Sequence, residues 1–179
     1  MTNPSPSAPP DPTAATGTAE HVAAEHVAHV DTPIGLVVII ARDGRITRLL
    51  WGRETAGYAP TEETELLREA ARQLTDYFDG KRTQFDLPLA LSASPFEHQV
   101  QERMLAIPYG ETRTYGDIAK ELDTYGQPVG QACGANTIPI IVPCHRVLSA
   151  TGLGGFSGAG GVETKIRLLK HEGGFPFLL

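Results

Sequence analysis

Two thiols, Cys133 and Cys144, are the only cysteines in this 179-residue sequence, and one of them stands among other reactive groups. Cys144 opens the run Cys144-His145-Arg146, directly after Pro143 and the apolar stretch Ile138, Ile140, Ile141 and Val142. A thiol beside imidazole and guanidinium sits in an electropositive setting that favours the thiolate. The thiolate is the nucleophile, and histidine is its commonest partner base. Neighbouring side chains of an extended chain point to opposite faces, so His145 reaches Cys144 only in a turn or through a water molecule. The bland reading stays open on these residues alone: a cysteine ending an apolar run also serves as a small buried hydrophobe. Cys133, between Ala132 and Gly134, reads as packing. Two cysteines are too few for a disulfide scaffold. Eleven residues apart, with no His pair at ligand spacing, they make no metal site either, and no cofactor is expected.

The elements that must position these residues follow from pattern. Residues 1–20, rich in Pro, Ala, Ser and Thr, read as a disordered tail. His26–Asp31, the turn Thr32-Pro33-Ile34-Gly35, the β-branched run Leu36–Ala41, the turn Asp43-Gly44 and Arg45–Trp51 predict antiparallel strands. A helix capped by Thr61 is expected to end at Phe78, with Leu66, Leu67, Ala70, Ala71, Leu74, Tyr77 and Phe78 on one face. Lys81–Leu91 looks extended. Ser94 and Pro95 start a second helix with an inner stripe of Phe96, Val100, Met104 and Leu105. Two short helices, Tyr115–Leu122 and Pro128–Gly134, around a turn closed by Gly126 fit a helix-turn-helix. The expected fold is α/β (α+β). A small N-terminal α/β region with an antiparallel sheet covers 21–92, and a mainly helical C-terminal domain containing the helix-turn-helix covers 93–179.

No apolar run approaches the roughly 20 residues of a membrane span, and no secretion signal opens the chain, so a cytoplasmic monomer is expected. The net charge of −6 is unevenly placed. From Ser94 onward 7 Lys+Arg face 8 Asp+Glu, whereas the preceding residues carry 8 against 13. Contact with a polyanion would therefore be weak and salt-sensitive.

Beyond these readings, the sequence resembles a known family. Asn136-Thr137-Ile138-Pro139-Ile140 followed by Pro143-Cys144-His145-Arg146 is similar to the signature of the O6-alkylguanine-DNA alkyltransferases. Ile107-Pro108-Tyr109-Gly110-Glu111-Thr112 with Tyr115 resembles their lead into the helix-turn-helix. Gly154-Gly155-Phe156-Ser157-Gly158 resembles their active-site loop, and Leu168-Leu169-Lys170-His171-Glu172-Gly173 their C-terminal helix. The resemblance is dense from Phe96 to Gly173 and thinner over 26–91. It implies a single-turnover repair of alkylated double-stranded DNA. Cys144 takes the alkyl group, His145 draws the thiol proton through a water, Glu172 holds His145, and Tyr115 serves the leaving guanine at N3. It further implies that the Ser157 N–H of the Ser157-Gly158 pair faces O6, that the carbonyls of Cys144 and Val147 read the exocyclic amine, that Pro139 lines the alkyl pocket, and that Asn136 ties the recognition helix to the reactive segment. Cys133, Gly134 and Ala135, with Gln127, Pro128 and Arg146, would lie against DNA.

Two positions depart from the pattern, the milder being Thr137, which stands outside the chemical group where a proline typically follows the asparagine. Gln127, before Pro128-Val129-Gly130, stands where the family carries an arginine that fills the gap of the flipped base. This leaves room for a damage-recognition protein with weak transfer. A cysteine hydrolase and an interaction protein with an inert thiol also fit Cys144 taken by itself. Hydrolase layouts, however, place the base far from the nucleophile in sequence.

Overall fold

Two tight turns fold the β-branched run into a meander. A computed structural model describes residues 24–174, so the expected tail over 1–20 lies outside the described residues. Strands β1 (His26–Thr32), β2 (Gly35–Arg42) and β3 (Arg45–Trp51) form an antiparallel sheet in that order. At the second turn Asp43 and Gly44 both take positive φ, 51° and 69°, the two-residue turn whose twist matches the strands it joins. Val37, Ile39 and Ala41 of β2 face the main core, while Val38 and Ile40 join Val27 in a smaller cluster under Leu50 and Tyr58.

Helix α1 (Glu65–Phe78) lies on the sheet and buries Leu67, Ala70, Leu74 and Tyr77, spaced as one helical face. Its cap is Thr64, whose hydroxyl accepts from Leu67 N, and not Thr61 as expected; the Thr61 hydroxyl accepts from Val27 N instead and ties the approach of the helix to β1. The stretch expected to be extended, Lys81–Leu91, bends at 81, 83 and 84, where Lys81 and Arg82 still donate to Asp76 O, and forms no full strand. Its backbone bonds β3 through Ile46 N to Pro88 O and Ala90 N to Ile46 O, and the Arg45 guanidinium donates to Leu89 O.

Helix α2 (Pro95–Leu105) has Pro95 at its start, as expected, although the Ser94 side chain makes no capping bond. It buries Val100, Gln101 and Met104, whereas Leu105 is 41% exposed. Five residues past Val100 is about 140° round a helix, off the inner stripe. Strand β4 (Arg113–Thr114) pairs in parallel with β5 (Val147–Leu148). Thr114 and Asp117 form a reciprocal capping box at the head of α3 (Tyr115–Glu121). The turn Leu122–Tyr125 leads into α4 (Gly126–Gly134), so Gly126 opens this helix where it was expected to close the turn. Helix α5 (Gly161–Glu172) completes the described chain between two left-handed glycines, Gly160 and Gly173. Buried residues from both halves, among them Ile39, Leu74, Met104, Ile118, Val142 and Leu168, share one core cluster. No helix among the described residues is long and apolar enough to cross a membrane.

Candidate active site

The reactive segment is shaped by a side chain, not by a sheet. The Asn136 amide brackets a tight turn: Nδ2 donates to Val142 O at 2.9 Å, and Oδ1 accepts from Ile138 N at 3.1 Å. Inside the turn Ile140 is held at φ +75°, a left-handed conformation that a β-branched residue adopts only under constraint. The chain then tightens into a single 3-10 turn, Cys144–Arg146, with Cys144 N donating to Val142 O. The backbone there is a turn, yet the two side chains share no hydrogen bond: His145 Nε2 is on Glu172 and Nδ1 has no partner among the described residues.

All three residues of that turn are buried. His145 Nε2 lies 2.7 Å from Glu172 Oε1, and Arg146 reaches Glu172 through Nε at 2.8 Å and Nη2 at 3.0 Å. Tyr77 of α1 donates its hydroxyl to Glu172 Oε1 at 2.7 Å, and Gly110 N donates to Oε2. Burial alone would raise the Glu172 pKa, but the hydrogen bonds from His145 and Arg146 outweigh it and hold the carboxyl down to about 2. Glu172 is thus an ionised acceptor, and Nε2 of His145 must carry the proton it receives. Burial lowers the His145 pKa against the pull of Glu172, so the ring is neutral at rest. Its proton on Nε2 leaves Nδ1 as a bare lone pair, and Nδ1 has no partner among the described residues. A buried base without a partner, one residue from a thiol, is poised to take a proton.

The thiol is not ionised in advance. Enclosure raises the Cys144 pKa; the Asn136 amide, the Lys165 charge and the backbone N–H groups of Cys144 and His145 pull it back only in part. This corrects the expectation of a thiol lowered by its neighbours, because Arg146 is spent on Glu172 and desolvation disfavours the charged form. Alkylation of Cys144 by iodoacetamide is accordingly expected to be slow at pH 7 and still accelerating at pH 9, as measured by peptide mapping. A rate that levels off below pH 7 would contradict the assignment. Cys133, pushed up to about 12 by burial, should stay unlabelled throughout.

Beside the thiol opens a cavity of about 450 Å³, lined by Cys144, Tyr115, Gly130, Cys133, Gly134 and the loop Gly155–Ser157. Tyr115, at the head of α3, has its pKa raised by burial and then by the two cysteines, so its phenol is a donor at neutral pH. Gly126 and Gly130 of α4 pack on this residue, where a Cβ would lie 3.7 and 4.0 Å from its side chain. At those distances a methyl group would make ordinary van der Waals contact, so the packing itself does not require glycine.

Several expected site residues land elsewhere. Arg146, expected against DNA, is 6% exposed and turned inward onto Glu172 and the Ile107 carbonyl, because a buried carboxylate needs a cation. Pro139 and Gly158 line a second cavity of about 510 Å³, under Trp51 and Tyr58, and not the one at the thiol; Ser157 and Gly134 border both. The Val147 carbonyl already accepts from Lys165 Nζ at 2.6 Å. Gly134, Ala135 and Gln127 are exposed along α4, and Pro128 is half-buried.

Two contributors carry no motif in the sequence. Lys165 is fully buried, bonded to the carbonyls of Val147 and Gly155, and lies 5.9 Å from the Tyr115 ring centre. Burial lowers its pKa to about 8. It is the cation facing the thiol, and its signal is its place on the inner stripe of α5 with Leu168, Leu169 and Glu172. Tyr77 belongs to the core stripe of α1, as expected, but also serves the site; the clue is that a buried phenol needs a hydrogen-bond partner.

The same arrangement of elements occurs in known proteins. Residues 95–174 match the family model described as 6-O-methylguanine DNA methyltransferase, DNA binding domain. Residues 26–91 match the companion model, 6-O-methylguanine DNA methyltransferase, ribonuclease-like domain. The chain belongs to the 6-O-methylguanine DNA methyltransferase family. The family match extends over 26–91, where the resemblance in the sequence is thin. A methylated-DNA–protein-cysteine methyltransferase of Mycolicibacterium paratuberculosis is 42% identical over 151 residues, covering 80% of this chain and 89% of its own. A constitutive one of Bacillus subtilis is 40% identical over 156 residues, covering 79% and 92%. The crystal structure of Mycobacterium tuberculosis O6-methylguanine methyltransferase aligns with a TM-score of 0.73 at 36% identity, covering 84% of this chain and 93% of that one. A structure of Mycobacterium tuberculosis OGT in complex with DNA aligns with the same TM-score at 38% identity, covering 83% and 92%. The mixed α/β architecture expected from the sequence is that of this family.

Proposed function

We propose that the chain repairs DNA by moving the alkyl group of an O6-alkylguanine onto Cys144, once per molecule, as a monomer in the cytoplasm. The observation that carries this reading is the order Glu172–His145–Cys144: an ionised carboxylate fixes Nε2–H, and the bare Nδ1 belongs to the residue next to a thiol that opens on a purine-sized cavity. The thiol proton passes to Nδ1 through a water, and Glu172 stabilises the imidazolium that results. The sulfur then forms its bond to the alkyl carbon as the carbon–O6 bond breaks. The electron pair of that bond goes to guanine, where the Tyr115 phenol donates at N3 and the Ser157 N–H faces O6. The products are a thioether and guanine. Nothing regenerates the thiol, hence the single turnover.

The target carbon is unreachable in the stack, so its nucleotide must rotate out at a cost of a few kcal/mol. Gly134 and Ala135 offer the close backbone approach this needs. Gln127 lies exposed in the first turn of α4. In place of the expected arginine it weakens duplex binding or flipping but leaves the chemistry alone. Gln127→Arg is expected to speed duplex repair about tenfold through a restored phosphate or base contact, with the reaction of free O6-benzylguanine unchanged. Equal acceleration of both, in single-turnover assays, would overturn that role.

The reading as a whole is tested by intact mass. Incubation with a duplex containing O6-methylguanine should add one methyl group, and peptide mapping should place it on Cys144. An unchanged mass, or a methyl on Cys133, would sink it.

A further inference from the structure

The loop that walls the thiol cavity is held at one end from outside the C-terminal half. Five glycines lie between Gly152 and Gly160, both included, so the loop has little conformational preference of its own. At its Gly155 end it is tied by Lys165 Nζ, 3.0 Å from the Gly155 carbonyl. At the other end it meets Trp51, the last residue of β3 and the chain's single tryptophan, 3% exposed. The indole Nε1–H donates to Ala159 O at 2.7 Å, an oxygen that also accepts from Thr164. The ring stacks on Phe156 with centroids 6.3 Å apart at 29°. Gly158 fits against its edge so closely that a Cβ there would lie 2.5 Å from Trp51 Cζ2 and 2.6 Å from Phe156 Cε1. Phe156 and Ser157, caught between these ties, are wall residues of the cavity that Cys144 opens on.

We infer that Trp51 is a positioning residue for alkyl transfer: through its indole the N-terminal sheet sets where Phe156 and Ser157 stand, and so how closely the cavity closes on the alkyl group. The inference rests on the alkyl-transfer reading above. Its consequence is a preference by size. A methyl group has little surface of its own and depends on the wall to align it with sulfur. A benzyl group packs for itself and tolerates, or gains from, a wall that retreats.

The test compares wild type, Trp51→Phe and Trp51→Ala with free O6-methylguanine and free O6-benzylguanine, which bypass DNA binding. Rates are read by intact mass at a temperature well below each variant's Tm. Trp51→Ala is expected to slow methyl transfer roughly tenfold or more, since small misplacements of a reacting group are costly. Benzyl transfer should slow less, raising the benzyl-to-methyl ratio at least about threefold. Trp51→Phe keeps a ring against Phe156 but loses the N–H to Ala159, and should recover most of the loss. It also preserves the test if the alanine variant fails to fold. In wild type, emission from the single tryptophan should shift when Cys144 accepts benzyl. Folded variants that keep wild-type rates and ratio, or that slow both substrates equally, would overturn the inference, as would emission unmoved by complete benzylation. A wild-type protein that gains no methyl group from the O6-methylguanine duplex would defeat the alkyl-transfer reading itself.

Discussion

Glu172→Gln is expected to slow alkyl transfer on the order of 100-fold or more, the scale on which general-base catalysis operates. Its carboxylate accepts from His145, Arg146, Tyr77 and Gly110. An amide has one oxygen to offer, and its NH₂ must then face at least one of these donors in a buried site. If the amide turns its NH₂ toward His145, it selects the wrong tautomer and Nδ1 is no longer bare. If it turns toward Arg146, a guanidinium is left buried without a counter-charge. In neither orientation is the imidazolium stabilised when it forms. Removing one partner of a buried ionic group also costs about 3–5 kcal/mol of stability, read by urea unfolding at pH 7. The wild-type pH dependence follows with a definite sign. The folded carboxyl titrates at about 2, below its ordinary 4.5, so the unfolded chain binds more protons between these values. Stability due to this group is therefore fully present above pH 4.5 and lost as pH falls through 2. The loss amounts to about 3 kcal/mol, since each pKa unit is worth about 1.4 kcal/mol. Glu69, lowered to about 2 by Arg72 and Gln73, shares this window but is present in both proteins. The difference between wild type and Glu172→Gln thus isolates Glu172. Identical acid slopes in the two proteins, or transfer at the wild-type rate, would remove Glu172 from the mechanism.

Tyr115→Phe is expected to slow transfer about 100-fold, with free base and duplex alike, because the group that stabilises the departing purine acts on the base itself. The hydroxyl is placed for this by the capping box of Thr114 and Asp117, which starts α3, and by the packing of Gly126 and Gly130 on the side chain. In the resting protein its partner is the Gly155 carbonyl at 3.5 Å, a long contact that a ligand can displace without loss. Burial keeps the phenol protonated across neutral pH, so the defect should not be relieved between pH 6 and 9. The fold should tolerate the change, since no buried group loses a short hydrogen bond. A variant slowed on duplex but normal with free base would reassign Tyr115 to DNA binding.

Much of this protein is legible without coordinates, wherever the deciding forces act over a few residues. The Asp43-Gly44 turn, the inner stripe of α1 and Pro95 at the head of α2 are of this kind. Cys144-His145-Arg146 likewise offers a candidate nucleophile and a candidate base. What stays hidden depends on atoms brought from far along the chain. Arg146, expected to face DNA, turns inward because α5 carries a buried carboxylate to it. The thiol, expected to be activated by its neighbours, is governed by enclosure, and enclosure is a sum over the whole fold. Lys165, Tyr77 and Trp51 reach the site from α5, α1 and β3 by tertiary packing alone. The sequence by itself determined which atoms are candidates to react, since the identity and order of Cys144 and His145 are local facts. Only the tertiary structure decided their charge and alignment, because pKa and reach are set by burial and by partners that no short window of sequence contains.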